Sequence, residues 1–469
     1  VSVMEALSFG IPVVATDVGG TGEVVGLELN SGILLPKAPS AESLADALQE
    51  VAANRDQFDP RAVWERLSNA ENAAQQIVDL VSIRGKDSQR DSLKGLPPML
   101  VVSFSDIRAD ARVLKQVDEF SKDFEITTCS YGERPEGSTH HVQIPSDLIS
   151  WAYDRKDLMT FRYKKAYWSN PAISYAVSKL RGGDFDVALA DDIDTVPLAL
   201  SLDPRFGVHA DLHEYAPREK EHLLRWRMFV GPFRRWLCAT YLPECKSVTT
   251  VSEGIAQEYA SQFGVDVDVA MNATPYQNLV PNPVSRPIRL VHSGACQRQR
   301  ELATMVQGVV DSDNDVTLDL YLTPNDPQHL QELKDLSAND PRITIHDPVP
   351  YEELVGLLNR YDVGISTIPP NTFNLLHSLP NKVFDYIQAR LGVIVGPSPE
   401  MARIVKQAQN GAVAANFSAE ALTRLTDRLD AQVVTSWKRA SDRVAQEFSA
   451  GPQTAVWRRA VEEMMAETH

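Results

Sequence analysis

The chain has 469 residues, 43% of them hydrophobic, with a formal net charge of -17 at pH 7 and a pI near 5.1. That is enough chain for roughly two to four domains with their own cores, and its acidic balance argues against a general affinity for nucleic acid, whose phosphates demand a surplus of Lys and Arg. No apolar run approaches the ~18 residues of a membrane span and no basic-then-apolar leader is present, so a cytoplasmic location is expected.

In chain order, Val3, Met4, Leu7 and Phe9 fall near one helical face, and Gly10 stops that helix. Residues 11–16 read as a short buried strand before a Gly19-Gly20 turn. SGILLP at 31–36 reads as a second strand, with amphipathic helices over 41–53 and 62–81. This βα series has too few strands to close a sheet. Residues 82–98, SIRGKDSQRDSLKGLPP, carry no hydrophobic period and end in Pro-Pro, which is a linker signature.

A fresh series begins with MLVVSF at 99–104, a fully buried strand, then a helix capped by Asp110 and running to about residue 122. EITTCSY (125–131), DVALA (186–190), GVHADLH (207–213) and SVTTVS (247–252) follow as strands with helices between them. After a polar, Pro-containing join at 274–287 the alternation restarts with IRLVHSG, TLDLYL, ITIHD, VGIST and GVIVG. Two successive series of this kind imply two doubly wound parallel-sheet domains facing a cleft, with ligands beyond the carboxyl ends of the strands. Cys129, Cys238, Cys245 and Cys296 have neither the spacing of a zinc or redox site nor the density of a disulfide framework, so they read as reduced and structural.

FDVALADDIDTVPLAL, DLHEYAPRE, VTTVSEGIAQEY, HSGACQRQRELATM and SLPNKVFDYIQARLGVIV occur in one order over residues 99–469. Together they resemble the retaining glycosyltransferases of family 4 (group 1). The resemblance implies an α/β protein of the GT-B fold, with two Rossmann-like sheets facing a cleft. SVMEALSFGIPVVATDVGGTGEVV with NSGILLP resembles only the C-terminal end of a donor-binding domain. Five segments are therefore expected: a partial donor-binding segment of an upstream enzyme (1–81), a linker (82–98), an acceptor-side domain (99–275), a nucleotide-sugar-binding domain (276–445), and a C-terminal helix (446–469) returning to the acceptor side.

A nucleotide-sugar transferase must hold a diphosphate leaving group, which backbone N–H groups at a helix start and fixed cations can do. By the resemblance, Gly294, Arg300 and Lys382 stand against the phosphates, with Arg298, Asn381, Asp385 and His377 as further donor-side candidates. Arg300 is preferred to Arg298 because it directly precedes the apolar helix Leu302, Met305, Val306. Lys382 sits in the first turn of its helix, where positive charge is unfavourable without an anion nearby. Asp385 matches the second acid of the family's Glu-x7-Glu pair, expected to grip ribose hydroxyls; the partner position holds His377 instead of Glu. Arg390 stands where relatives carry Gly, and Gly392 where they carry Pro. His213, after a strand end, is expected near the transferred sugar, with Glu214, Asp110 and Arg112 as acceptor-side candidates. In the first segment Glu5 matches the second acid, and Glu5, Gly19 and Gly20 are read as a vestigial site. ADDIDT at 190–195 invites a metal, but the resemblance places basic residues where other transferases use one, so neither metal nor cofactor is expected.

Residues 151–181 and 218–236 interleave Arg and Lys with Trp, Tyr and Phe. Such helices either lie on anionic headgroups, as a peripheral protein on the inner membrane face would, or pack with the charged side solvated. The function implied is transfer of a sugar, of hexosyl type, from a nucleotide-diphosphate sugar to a glycan or lipid-linked acceptor with retention, in cell-envelope or exopolysaccharide synthesis. Two other readings stay open: a non-catalytic binding module that scaffolds a partner transferase, and a nucleotide-sugar epimerase, which shares the fold but not the SLPNK signature.

Overall fold

The computed structural model describes residues 3–16, 25, 31–62, 95–338 and 340–466. The chain divides into two units, Val1–Gly95 and Leu96–His469. In the first, helix Val3–Ser8 turns at Gly10 into β1 (Val13–Thr16), which pairs in parallel with β2 (Gly32–Leu35). Helix Ala41–Ala53 follows, its first turn closed by Ser40 accepting from the Ser43 N–H. The first strand is less buried than the sequence suggests: all four β1 residues are half-buried, and Phe9 is 78% exposed. Two described strands cannot enclose one another, because each has an open edge. The helix expected at 62–81, the Gly19-Gly20 turn and most of the 82–98 linker lie outside the described residues.

The second unit contains two all-parallel sheets. One is built from β3 (Pro98–Asp106), β4 (Glu125–Tyr131), β5 (His140–Gln143), β6 (Val187–Asp191), β7 (Val208–Leu212), β8 (Ser247–Thr250) and β9 (Asp268–Val269), in the order β5-β4-β3-β6-β7-β8-β9. The other uses β10 (Ile288–Ala295), β11 (Val316–Thr323), β12 (Ile343–His346), β13 (Val363–Ser366), β14 (Gly392–Val395) and β15 (Gly411–Val413), in the order β12-β11-β10-β13-β14-β15. Every residue of β6, β7, β13 and β14 is buried, as continuous Val, Ile and Ala runs covered by helices on both faces must be. The strands missed by sequence patterning, β5, β9 and β15, are short sheet edges; HHVQ and DV carry too few apolar residues to signal a core strand.

Each sheet reverses direction at one point, between β3 and β6 in the first and between β10 and β13 in the second. A crevice opens at such a reversal, and these two set the positions of every candidate side chain below. The last helix, Ala450–Ala466, packs on the first sheet's domain, where Arg458 pairs with Glu119 (2.7 Å) and Asp123 (2.6 Å).

The departures at 390 and 392 have structural reasons. Arg390 adopts φ +61°, a left-handed conformation that favours Gly, and it is held there by Asp442 (2.8 Å) and the carbonyls of Gln388 (2.6 Å) and Gln277 (2.8 Å). At Gly392 a Cβ would lie 2.9 Å from the Trp437 ring, so Trp437 fills the space that a larger residue would need. Many aromatics of the basic stretches are core residues: the rings of Tyr153 and Tyr163 stand 4.6 and 5.6 Å from Phe233. Trp151, Met159, Phe161, Leu223, Leu224 and Met228 remain exposed.

Lys438, on helix Ala431–Val444, ties that helix to the second sheet. Its ammonium donates to the Tyr361 carbonyl (2.7 Å) and to Asp362 (3.1 Å), and both charged residues are 1% exposed. Lys438→Met would leave the Asp362 carboxylate buried without its cation, and urea denaturation should show a loss of about 3–5 kcal/mol. A loss below about 1 kcal/mol would mean that the pair is replaceable.

Candidate active site

On the first-sheet side the chemistry gathers where β3, β6 and β7 end. Asp211, the penultimate residue of β7, is fully buried and receives a two-pronged bond from Arg112, Nη2 to Oδ1 and Nε to Oδ2, both at 2.7 Å. Gln116 (2.7 Å) and Thr249 (2.6 Å) complete its shell, and Trp457 of the last helix lies 4.8 Å from the Arg112 guanidinium. Burial opposes ionisation of Asp211, but the Arg112 charge and the bond to His213 outweigh it and hold the carboxyl well below its usual range.

His213 follows β7. Its Nε2 faces Asp191 (3.3 Å) and Asp211 (3.6 Å), its Nδ1 faces Asp192 (3.6 Å), and its backbone N–H donates to Asp192 (2.9 Å). Burial alone would depress its pKa; the Asp192 charge and the bonds to Asp191 and Asp211 instead raise it well above the ordinary value. The acids around His213 thus favour its protonated form. Asp191, Asp211 and His213 offer donor atoms within 4.8 Å of one another, spacing that a divalent ion could bridge. The Arg112 guanidinium already occupies both Asp211 oxygens, however, so the donor set is charge-balanced from within. In ADDIDT itself the acids diverge, Asp194 turning away to Arg234 (2.5 Å) and Tyr153 (2.9 Å).

On the second-sheet side Gly294 closes β10 at φ +151°, and a Cβ there would lie 2.8 Å from the Lys382 ammonium. Only glycine lets the backbone and that cation come so close. Lys382 is the second residue of helix Asn381–Gln388 and 7% exposed, and its Nζ has no hydrogen-bond partner among the described residues. Burial, then repulsion from Arg300, lowers its pKa to about 7. Arg300 makes one long bond, to Gln297 (3.4 Å), and borders the same space.

Between the two sides lies a cleft of 610 Å³ bordered by Asp110, His213, Glu214, Arg300, Asn374 and Asn381 among others. Asn374 bridges it, accepting from the Tyr215 N–H (2.9 Å) and donating to Glu214 (3.1 Å). Of the residues predicted from sequence, His213, Glu214, Asp110, Arg300, Asn381, Gly294 and Lys382 come together at or beside this cleft. Asp110 also caps the helix Ala111–Phe120, accepting from the Arg112 and Val113 N–H groups.

Three candidates stand elsewhere, and a fourth, Arg112, borders the cleft with its guanidinium already engaged. Arg298 is held outside by Glu332, with two bonds at 2.7 Å, and by Asp326 (3.4 Å). The Arg112 guanidinium donates to Asp211 and to the Ala270 carbonyl, which fixes it against the strand ends. His377 packs against the backbone of Gly254 and faces Glu400 (3.7 Å), in the contact between the two domains rather than at the donor. Asp385, 3% exposed, accepts from Thr274 (2.5 Å) and Tyr351 (3.3 Å) and braces the inter-domain segment instead of reaching the cleft. The Glu5 side chain, Gly19 and Gly20 lie outside the described residues. Gln116 and Trp457 were not singled out from the sequence, and Asp191 was noted only within ADDIDT as a possible metal stretch; nothing local marks Trp457.

Comparison with known proteins adds three findings. The family described as Glycosyl transferases group 1 matches residues 1–75. No curated protein matches the sequence. Among solved structures, the sucrose-phosphate synthase of Thermosynechococcus elongatus is similar at TM-score 0.59 and 11% identity, over 79% of this chain and 100% of that one. HepE of Anabaena in complex with UDP is similar at TM-score 0.59 and 10% identity, over 78% and 100%. The trehalose 6-phosphate synthase of Burkholderia multivorans is similar at TM-score 0.57 and 10% identity, over 80% and 100%. The fold is GT-B. At these identities the likeness establishes the GT-B architecture and leaves the chemistry to the site's own geometry.

Burial raises the Asp385 pKa to about 6, against the opposing bonds from Thr274 and Tyr351. A raised acid favours folding fully below its unfolded value and loses that contribution as pH climbs through its folded one. Asp385→Asn should therefore gain stability relative to the parent between about pH 4 and 6.5, by up to about 3 kcal/mol, in denaturant melts across that window. A difference independent of pH would show that Asp385 is ionised without penalty.

Proposed function

We propose that residues 96–469 transfer a sugar from a nucleotide-diphosphate sugar to a glycan or lipid-linked acceptor, with retention at the anomeric carbon. One observation carries this reading. Lys382 is a buried ammonium with no acceptor among the described residues, it touches a glycine at a strand end, and a second cation, Arg300, stands beside it. Burying such a charge is costly unless an anion completes it, and a diphosphate leaving group is that anion. The match of residues 1–75 to group 1 transferases supports the class. Neighbours solved with UDP and with UDP-glucose support the donor type.

The division of labour follows from the geometry. The open N–H groups at the start of helix Asn381–Gln388, the Gly294 backbone, Lys382 and Arg300 receive the charge that develops on the departing phosphate. His213, flanked by Asp191, Asp192 and Asp211, which favour its protonated form, faces the sugar as a hydrogen-bond donor. The acceptor hydroxyl then attacks from the face the phosphate leaves. A hexosyl donor and a place in cell-envelope or exopolysaccharide synthesis rest on the family resemblance alone.

The test is transfer and donor hydrolysis by the 96–469 protein with UDP-sugars. Arg300→Ala and Lys382→Ala should each cost about 2–4 kcal/mol in kcat/KM, the scale for losing one preorganised donor to a developing charge. Binding without turnover would assign a binding module instead. UDP affinity should fall as pH rises above about 7, because the free Lys382 must be protonated to bind. Calorimetry in buffers of different ionisation enthalpy should show proton uptake on binding, abolished in Lys382→Ala. A pH-independent affinity would remove Lys382 from the phosphate site.

Among the described residues no helix is long and apolar enough to cross a membrane. Helix Arg155–Met159 lies against the segment Trp226–Val230, placing exposed Met159, Phe161 and Met228 on neighbouring elements among Arg155, Lys156, Arg162, Arg225 and Arg227. That combination suits peripheral contact with an anionic bilayer. Vesicle binding should require anionic lipid and weaken with salt; equal binding to neutral vesicles, or none, would return these residues to an ordinary solvated face.

A further inference from the structure

At the end of β10 two buried polar atoms, the Lys382 Nζ and the His292 Nε2, have no hydrogen-bond partner among the described residues, and both stand at Gly294. The point that a Gly294 Cβ would occupy is 2.8 Å from the Nζ and 3.7 Å from the Nε2. His292 is fully buried, and its Nδ1 lies 2.8 Å from the Ile365 carbonyl, which also accepts from the Tyr386 hydroxyl (3.2 Å). A carbonyl can only accept, so Nδ1 carries the ring hydrogen and Nε2 is left as a bare lone pair. Burial first, then the charges of Lys382 and Arg300, lower the pKa of the ring well below its ordinary value and keep it neutral. The result is an acceptor without a donor beside a cation without an acceptor, each costly to bury alone and complementary to the other.

We infer that His292 is a positioning residue for Lys382: its Nε2 is the uncharged acceptor on which the ammonium rests, directly or through one water, until a diphosphate takes it over. The inference deepens the sugar-transfer reading and rests on it for the identity of the anion. The ammonium ends a flexible four-carbon stem, so it can change partners without movement of the backbone. Of the other charged groups that face it, Arg300 repels it, and Asp385, on its own helix, attracts it without a hydrogen bond because Oδ1 is turned to Thr274 and Tyr351. A neutral acceptor in this place has a consequence that a carboxylate would not. It favours the protonated amine against burial and Arg300, yet it leaves the positive charge uncancelled for the phosphate.

The experiment is calorimetric titration of the full chain with UDP across about pH 5.5–8.5, in the parent, His292→Asn and His292→Gln. Asn keeps an N–H at the depth of Nδ1 and loses the acceptor; Gln loses the Nδ1 bond and puts a carbonyl oxygen at the depth of Nε2. In the parent, affinity falls as pH rises through the Lys382 pKa of about 7. Without the acceptor the ammonium gives up its proton at lower pH, so His292→Asn should move the midpoint of that fall to the acid side by about one pH unit, the scale of one hydrogen bond to a charged group. His292→Gln should stay near the parent. An unmoved midpoint in His292→Asn, or the same shift in both variants, would overturn the inference. Nitrogen NMR on the full chain with labelled histidine tests the pair without UDP and with His292 in place. The Nε2 should be unprotonated at neutral pH, and its resonance should follow the titration of Lys382 and cease to do so in Lys382→Ala. A protonated Nε2 at neutral pH, or a resonance indifferent to Lys382, would overturn the pairing. Failure of UDP to bind would instead overturn the transferase reading and leave the NMR result standing.

Discussion

Asp211 holds the first domain's active face in place. One carboxylate draws together Arg112 and Gln116 from the first helix, Thr249 from β8, His213 from the loop after its own strand and Trp457 from the last helix of the chain. Each of these would be costly to bury alone; converging on one charge, they satisfy each other. The result is a wall at the strand ends in which His213 is held among acids that favour its protonated form. Because the last helix also passes beneath the second domain's connecting segment, with Gln453 accepting from the Met271 N–H (2.9 Å), this network fastens the first domain to the join as well.

The second domain is arranged on the opposite principle. Where Arg112 has its acid, Lys382 has none, and burial and Arg300 together press it toward neutrality. Asp385 is turned to Thr274 and Tyr351, and His292 donates Nδ1 to the Ile365 carbonyl (2.8 Å) while its buried Nε2, beside Gly294, has no partner among the described residues. The cleft thus has a self-neutralised wall facing an electrically incomplete one. Such an arrangement is unfavourable in the empty protein and favourable with an anion bound, which is the condition for spending binding energy at the leaving group.

Two cavities adjoin at the strand ends: a cleft bordered by Arg300 and a pit bordered by acidic side chains and the exposed Trp151 ring. His213 and Glu214 border both. Asn374 spans that space by joining Tyr215 and Glu214 to the second domain, and it fixes the width of the gap.

The alternation of buried strands and amphipathic helices in 99–469 determined the two parallel sheets, because a strand covered on both faces is predominantly apolar; the short edge strands β5, β9 and β15 lack that signal. Strand-end placement pointed to His213, and the family resemblance to Gly294, Arg300 and Lys382. It could not tell which side chains were already taken. Arg298 and Arg300 stand two residues apart, yet one is clamped by Glu332 and the other borders the cleft. Asp385 and His377 lost their expected places to Thr274 and to the backbone of Gly254, partners more than a hundred residues distant. Sequence by itself determined the architecture and the residue types at the strand ends, because burial periodicity is local; only tertiary structure decided which charges are neutralised and which are left for a ligand, because that depends on groups brought together from across the chain.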